Sequence, residues 1–309
     1  MPEFSGPQIL VLVPTCNPGP KWNDFLQALH AQTLRSTRCI VIDSESSDGA
    51  VQAAQAMGIA VHNVARANFN HGTTRQQAVD LFASNADIVV FLTQDALLAD
   101  PGALEKLVSV LDDPSIGAAY GRQLPHADAT PVAAHARLFN YPGKGHIRSL
   151  ADVPVFGIKT CFLSNSFAAY RVTALREVGG FPSNVILGED MHTSARMLTA
   201  GYSVAYSSQA AVYHSHNYSL LEDFCRSFDT GVFHAQQPWL IRSFGAAGRE
   251  GVRFVCSEMA YLLRKAPWRM PEAAIRTMLK ALAYRLGCHY VLLPSKVRRS
   301  LSMHKGYWT

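Results

Sequence analysis

Short apolar runs alternate with amphipathic segments from Ile9 to about Leu124. This alternation predicts an α/β fold in which helices connect parallel strands through right-handed crossovers. The predicted strands are Ile9 to Pro14, Arg38 to Asp43, Ala60 to Val64, Asp87 to Leu92 and Gly117 to Arg122. The helices predicted between them are Lys21 to Gln32, Gly49 to Met57, Gly72 to Ser84 and Pro101 to Leu111.

The pattern is less regular in the middle of the chain. Residues Pro125 to Lys159, rich in His, Pro and Gly, predict a long connection that contains one helix around Ala133 to Phe139. Long loops in a compact domain are usually functional or mobile. The elements predicted after this connection are a strand from Phe167 to Arg171, a helix from about Glu189 to Ala200, and short strands at Ser203 to Tyr206 and Ala211 to His214.

Beyond Tyr218 the sequence is helical and basic, with helix breaks expected at Pro267 and Pro294. Residues 1–234 contain 15 Lys and Arg against 20 Asp and Glu, whereas residues 235–309 contain 13 against 3. We therefore predict a main α/β domain over 1–234 and a basic helical extension over 235–309. Such asymmetry indicates an anionic partner for the extension.

The extension also has an apolar side. An apolar stripe at helical spacing lies between the two prolines, formed by Ile275, Met278, Leu279, Leu282 and Leu286. With Trp239, Trp268 and Trp308, this stripe suits the headgroup level of an anionic membrane surface. The alternative is a helical packing or oligomerisation element. Nucleic-acid binding is disfavoured because no recognisable reading module is present.

Composition narrows the class of protein. The 309 residues are 48% hydrophobic and 17% charged, which is typical of an ordered globular protein. The six cysteines form no close pair, so neither a zinc knuckle nor a disulfide framework is expected and a reducing cytosol fits best. The segment Met1 to Ser5 shows no signal-peptide pattern, and no run of about 18 apolar residues predicts a membrane span. We expect a cytoplasmic protein, with peripheral attachment to the inner face of the membrane as an option.

Two acidic positions in the sequence are candidate functional residues. The apolar run Ala86 to Leu92 stops at Thr93-Gln94-Asp95, and Gly188-Glu189-Asp190 begins an amphipathic segment. An acid at the carboxyl edge of a parallel strand lies where open α/β sheets bind ligands. One acid can hold a metal while the other moves a proton, which suits group transfer from a nucleotide diphosphate. The loop after the first strand lacks G-x-G-x-x-G, which disfavours a nicotinamide enzyme.

Several motifs resemble one known family. They are Val13-Pro14-Thr15, Asp43-Ser44-Glu45-Ser46-Ser47-Asp48-Gly49, Phe69-Asn70-His71-Gly72-Thr73-Thr74-Arg75, Thr93-Gln94-Asp95-Ala96 and Gly188-Glu189-Asp190. In this order, over roughly residues 8 to 220, they resemble the inverting family 2 glycosyltransferases with the GT-A fold, and within them the bacterial rhamnosyltransferases. Three departures stand out: Thr73 replaces the second glycine and Gln76 the asparagine of the rhamnosyltransferase segment, and Thr93 replaces the first acid of the usual Asp-x-Asp.

The resemblance implies roles on the donor side of the site. The residues implied to bind the dTDP end of the donor are Thr15, Asp43, His71, Arg75 and Gln94. Asp95 is implied to bind Mg²⁺ or Mn²⁺, and His214 or His216 is implied as a second ligand. The competing structural interpretation is that Asp43 caps a turn, that Asn70 or Thr73 caps a helix, and that the histidines are structural.

The resemblance also implies roles for residues on the acceptor side of the site. Asp190 is the implied general base, with Glu189 supporting it, and Asn165 and Arg196 are weaker candidates for the sugar pocket. The implied reaction moves L-rhamnose from dTDP-rhamnose to a hydroxyl of a surface polysaccharide or lipid-linked glycan. Two alternatives remain open, namely another donor such as a UDP-hexose or furanose, and a non-catalytic membrane-associated scaffold that binds nucleotide.

Overall fold

The protein is described here by a computed structural model that covers residues 6–34, 37–245 and 248–308. The segment Met1 to Ser5, which bears on the signal-peptide prediction, lies outside these residues. Within the described part of the chain, no helix has the length and apolar character required to cross a bilayer.

One mixed sheet organises the fold. Its strands, in spatial order, follow β3-β2-β1-β4-β8-β6-β9-β5, and β7 also pairs with β9. The strands are β1 Ile9–Thr15, β2 Thr37–Asp43, β3 Ala60–Asn63, β4 Ile88–Leu92, β5 Leu97–Leu98, β6 Ile116–Leu124, β7 His146–Arg148, β8 Phe167–Arg171 and β9 Ser203–Tyr213.

Helices cover both faces of the sheet and form the carboxyl-terminal region. They are α1 Trp22–His30, α2 Ala50–Ala56, α3 His71–Phe82, α4 Ala103–Val108, α5 Pro131–Asn140, α6 Val153–Phe156, α7 Val172–Glu177, α8 Glu189–Thr199, α9 Leu220–Gln236, α10 Pro238–Phe244, α11 Gly248–Lys265, α12 Met270–Cys288 and α13 Ser295–Leu301. A 3₁₀ turn at Pro267–Arg269 separates α11 from α12, and α13 starts directly after Pro294, so both predicted breaks are confirmed.

The amino-terminal half is the predicted parallel sheet. β1 pairs in parallel with β2 on one side and β4 on the other, and β2 pairs in parallel with β3. Because the centre of this sheet is covered on both faces, β1 and β4 are buried along almost their whole length rather than alternating. On β1, Leu10 and Leu12 enter one hydrophobic core, whereas Ile9, Val11 and Val13 enter the core on the opposite face.

The second half corrects the simple parallel order. β6 does not lie beside β4, because β8 is inserted between them and runs antiparallel to both. The long connection also contains more structure than predicted, namely β7 and α6 in addition to α5. The two short strands predicted after α8 form one strand, β9, whose pairing with β6 shifts register at Gly121/Arg122. That irregularity explains why the sequence pattern is interrupted there.

The carboxyl-terminal helices pack on α9. At the crossing of α9 and α12, a Cβ added to Gly231 would lie 2.2 Å from the Tyr284 carbonyl oxygen, and one added to Gly287 would lie 2.0 Å from that of Phe228. Leu240, Phe244 and Ala283 belong to the same core cluster as the sheet. The division between residues 1–234 and 235–309 therefore stays a proposal based on the sequence. In the structure, the extension packs directly on the residues that precede it.

The apolar stripe of α12 is only partly exposed. Ile275, Met278 and Leu282 are 45%, 64% and 52% exposed, whereas the other two residues of the stripe are partly buried. The expectation of three surface tryptophans is only partly met, because Trp268 is 72% exposed while Trp239 and Trp308 pack against the core cluster. The exposed apolar surface of the extension is therefore formed by Ile275, Met278, Leu282 and Trp268.

The α9–α12 contact predicts the effect of one substitution. Gly287→Ala should destabilise the protein by about 2–3 kcal/mol, because the added methyl group overlaps the Phe228 carbonyl and the helices must separate. Thermal unfolding measures this. The control is Gly251→Ala on α11, where a Cβ meets nothing within 4 Å, so stability should stay level or rise by up to about 1 kcal/mol. An unchanged unfolding midpoint for Gly287→Ala would contradict the packing.

Candidate active site

A large cleft lies at the carboxyl ends of the central strands. Its volume is about 830 Å³, and it continues between α5 and helices α9, α11 and α12. Asp95, which follows β4, and Asp190, in the first turn of α8, both line it. The two carboxylates that the sequence singles out therefore share one cavity.

Asp95 lies against two histidines that follow β9. Its Oδ2 is 3.3 Å from Nε2 of His214 and 3.6 Å from Nε2 of His216. The candidate ligand atoms of these three residues all lie within 4.8 Å of one another. Burial alone would raise the pKa of Asp95, but the hydrogen bond from His214 and the nearby histidine charges outweigh it and hold that pKa below its usual range. The carboxylate is therefore ionised at neutral pH.

Gln123, at the end of β6, orients His214. Its Oε1 accepts a hydrogen bond from the Arg137 guanidinium, so Nδ1 of His214, 2.9 Å from the same oxygen, must be the donor. The Nε2 of His214 then faces Asp95. With a proton it donates to the carboxylate, and without one it presents a lone pair beside it. A second group that fixes the tautomer in this way is typical of metal-binding histidines.

Asp190 is held at the start of α8 by local backbone geometry. Gly188 adopts φ 75°, a left-handed conformation, and a Cβ there would lie 2.9 Å from the Phe233 ring. The helix begins at the next residue, so its first turn contains Glu189 and Asp190, where the macrodipole favours acids. The Oδ2 of Asp190 accepts the Asn165 N–H at 3.1 Å.

The Glu189 side chain is buried and forms an ion pair with Arg75. Its Oε1 lies 3.0 Å from the Arg75 guanidinium, and both side chains are nearly buried, at 7% and 5% exposure. Asn165 also donates to this oxygen at 3.0 Å and accepts the Tyr170 hydroxyl at 2.7 Å. Arg75 thus reaches from α3 to the loop that presents Asp190.

The two adjacent acids have opposite pKa shifts. Burial would raise the pKa of Glu189, but the Arg75 guanidinium outweighs it and holds that pKa below its ordinary value. Burial raises the pKa of Asp190 to about 7, and the charge of Glu189 acts in the same direction. Glu189 is thus a fixed anion, whereas Asp190 can accept or release a proton near neutral pH, as a general base requires.

The predicted nucleotide-binding residues lie at the ends of β1, β2 and β4. Thr15 lines the cleft. Gln94 also lines it and ties two loops together, because its side-chain amide exchanges hydrogen bonds with both backbone groups of Cys16. Asp43 is 1% exposed and lies outside the cleft lining. Its Oδ2 accepts the Ser46 N–H, whereas its Oδ1 is buried and has no hydrogen-bond partner among the described residues.

The segment before α3 shows both capping and site geometry. The Asn70 side chain caps the helix by accepting from the N–H groups of Gly72 and Thr73, so this amino terminus is already satisfied. His71 and Arg75 line the cleft, and the Arg75 guanidinium donates to the His71 carbonyl at 3.0 Å. The structural interpretation of Asn70 is confirmed.

Arg196 requires a correction. It lies outside the cleft lining, near the end of α8, and its guanidinium is so close to Gly179 that a Cβ there would be 2.8 Å from it. The sequence suggests a pocket residue because the helix starts in the site, but the helix leads away from it. Asn165 does line the cleft, and it positions both acids as well.

Sequence reasoning missed several cleft residues. Gln123, Arg137, Arg226 and His304 all line the cavity. Gln123 could have been predicted, because its amide lies at the carboxyl end of a predicted strand. No local pattern indicates His304, because it reaches the cleft from the end of the chain.

The comparisons with known proteins decide the family. A family model described as glycosyltransferase like family 2 matches residues 7–227. The chain belongs to this family. It is 50% identical to the O-antigen chain rhamnosyltransferase RfbN of Salmonella typhimurium over 97% of this chain and 96% of that protein. It is also 47% identical to the O-antigen chain rhamnosyltransferase WbaN of Salmonella anatum over 98% and 96%.

Solved structures agree on the fold of this glycosyltransferase. The mannosyltransferase PcManGT of Pyrobaculum calidifontis, solved with GDP-Man and Mn²⁺, aligns with a TM-score of 0.57 at 22% identity, covering 99% of this chain and 86% of that one. The Staphylococcus aureus TarS fragment with UDP aligns at 0.55 and 13% identity, covering 92% and 91%. The expected GT-A fold is confirmed.

The opposite pKa shifts of Glu189 and Asp190 predict how the pH dependence of activity should change in a variant. In the wild type, activity should rise with pH through about 7 as Asp190 loses its proton. Glu189→Gln removes a neighbouring negative charge, so the pKa of Asp190 should fall and the rising limb should move to lower pH. The measurement is kcat/KM against pH for both proteins. A rising limb at the same or higher pH would contradict the electrostatic coupling.

Proposed function

We propose that this glycosyltransferase transfers L-rhamnose from dTDP-rhamnose, with inversion, to a hydroxyl of a cell-surface polysaccharide or a lipid-linked glycan. Rhamnosyl transfer to a polysaccharide is supported by identities of 50% and 47%, over nearly the whole chain, to two O-antigen chain rhamnosyltransferases. The mechanism depends on one observation: Asp95 with its two histidines, and Asp190, line the same cleft.

The nucleotide end of the donor is proposed to bind at the ends of β1, β2 and β4. Thr15 and Gln94 line that part of the cleft, and the unpartnered Oδ1 of Asp43 is an acceptor for a base or ribose donor. Such a buried acceptor is costly until a ligand supplies its hydrogen bond. His71 and Arg75 close the cleft from the start of α3, with Arg75 acting through Glu189.

The residues around Asp95 fit a divalent cation. One carboxylate oxygen and two imidazole nitrogens lie close enough to share an ion, and Gln123 fixes the ring of His214. Two imidazoles in the set favour Mn²⁺ over Mg²⁺, which prefers oxygen ligands. Held there by Asp95, His214 and His216, either ion would supply positive charge to offset the charge that develops on the departing phosphates.

Asp190 is proposed to accept the proton of the acceptor hydroxyl. The acceptor oxygen forms a bond to the anomeric carbon while the bond from that carbon to the diphosphate oxygen breaks. The electron pair of that bond leaves with dTDP, and the proton passes to Asp190. Because attack and departure occur on opposite faces, this single displacement inverts the anomeric carbon.

A donor panel tests this proposal. With lipid-linked glycan extracted from membranes as acceptor, dTDP-rhamnose should release nucleotide faster than UDP-hexose, UDP-furanose or GDP-mannose, and a chelator should abolish release until Mn²⁺ or Mg²⁺ is added back. Asp190→Asn should lower kcat by about 10²- to 10⁴-fold while donor affinity is kept.

The control for this experiment is Asp24→Asn, a change of an exposed acid on α1, which should leave turnover unaltered. Preference for a different nucleotide sugar would refute the donor assignment. Near-normal turnover by Asp190→Asn would refute the base.

The extension is proposed to dock on an anionic membrane surface. Its 13 basic residues against 3 acidic ones accompany the exposed apolar surface formed by Ile275, Met278, Leu282 and Trp268. Arg285 lies one turn after Leu282 on the same side of α12 and is exposed. Each such cation close to an anionic leaflet contributes about 1 kcal/mol. Attachment there would bring the cleft close to lipid-linked acceptors.

Vesicle sedimentation tests this docking. The protein should pellet with phosphatidylglycerol-containing vesicles but not with phosphatidylcholine alone, and high salt should release it. The double change Met278→Glu and Leu282→Glu should abolish binding, whereas Leu81→Glu, at an exposed apolar position on α3, should not. Failure to bind anionic vesicles would contradict the proposal. Self-association that the same α12 changes abolish would instead assign this surface to contacts between copies of the protein.

A further inference from the structure

The last residues of the extension return to the catalytic cleft. Met303 and His304 line it together with residues of α3, α8 and α9. The family match ends at residue 227, so this segment lies well outside it. The end of the chain therefore forms part of the wall of the site.

A buried carboxylate anchors this segment. Asp229, in the middle of α9, is 0% exposed, and its Oδ2 accepts the N–H groups of Met303 at 2.9 Å and His304 at 3.3 Å. Burial raises the pKa of Asp229 to about 6, while these hydrogen bonds favour its charged form. A buried carboxylate is tolerated only where such donors compensate it. The backbone at 303 and 304 is therefore specifically bound rather than merely packed.

Aromatic contacts fix the segment on its other side. The ring of Trp308 packs 5.7 Å from that of Tyr290 and 6.5 Å from that of Phe228, measured between centroids. The Tyr307 hydroxyl donates to the Gln236 side chain at 3.2 Å. With anchors before and after it, the His304 backbone has little freedom, so the position of its imidazole is well defined.

The ring of His304 packs against the start of α3. It meets the His71 ring edge-on at 5.0 Å, and His71 in turn meets Phe69 edge-on at 5.1 Å. It is also close enough to Glu189 to feel that charge. The transferred sugar must lie between the diphosphate and the proposed base Asp190, in the cleft that His304 also lines.

The protonation of this pair suits a neutral ligand. Burial, followed by the Arg226 charge, lowers the pKa of His304, and burial lowers that of His71 to about 3. Both rings are therefore neutral near pH 7. A neutral imidazole offers one donor and one acceptor, which matches a sugar hydroxyl better than a phosphate.

We infer that His304 is a binding residue for the transferred sugar, placed in the cleft by the carboxyl-terminal segment 302–308 through the Asp229 anchor. The inference rests on the proposed donor, because it assigns a contact to the sugar that the cleft receives. Its ligand is a ring hydroxyl of that sugar rather than the nucleotide.

Calorimetric titration with dTDP and with dTDP-rhamnose tests the inference. His304→Ala should weaken binding of dTDP-rhamnose by about five- to tenfold, the equivalent of one lost hydrogen bond, and leave binding of dTDP unchanged. The donor KM should rise more than kcat falls. His304→Gln, which keeps a side-chain N–H, should recover part of the loss. The matched control is His289→Ala, at an exposed position of the same extension.

The anchor is tested by Asp229→Ala, with circular dichroism to verify folding. It should reproduce the loss of sugar affinity, and the Asp229→Ala/His304→Ala double variant should be no weaker than His304→Ala alone. Equal weakening of dTDP and dTDP-rhamnose by His304→Ala, or no weakening of either, would overturn the inference. If the wild type prefers another nucleotide sugar, the donor proposal fails, and the same comparison with that sugar and its nucleotide still decides the role of His304.

Discussion

The buried ion pair between Arg75 and Glu189 is the interaction on which the site depends. It joins α3, which follows β3, to α8, which carries Asp190, the proposed base. Two charges buried at 5% and 7% exposure are stable only together, and loss of one partner from such a pair typically costs about 3–5 kcal/mol. The interaction therefore serves positioning more than stability, because an apolar pair could stabilise the same contact without fixing the loop at Gly188.

The same pair makes neighbouring carboxylates chemically different. Arg75 and Asn165 stabilise the charge of Glu189, and that fixed charge, with burial, raises the pKa of Asp190. When their environments separate the pKa values of two neighbouring acids, one acid commonly stays charged and the other transfers the proton. Without the family resemblance, the sequence pattern cannot make this distinction, because both acids occupy the first turn of one helix.

Much of the fold follows from local patterns. β1, β2 and β4 are apolar runs buried on both faces, and α8 begins after a glycine with acids in its first turn, so their positions could be predicted. The insertion of β8 between β4 and β6 could not, because strand order depends on tertiary packing rather than on propensity. His304 was missed for a related reason: only the pairing of Asp229 with a distant backbone brings it to the cleft.

The replacement of an acid by Thr93 affects how charge is distributed in the proposed cation site. An Asp-x-Asp pair supplies two negative charges, whereas Asp95 with two imidazole ligands supplies one, so a divalent ion there would keep more of its positive charge. Such an ion binds the protein less tightly alone but attracts a diphosphate more strongly. Metal and donor should therefore bind cooperatively, each raising the affinity for the other by the same factor. In the proposed site, the histidines would thus complete the ligand set and favour the complex of metal and donor over the metal alone.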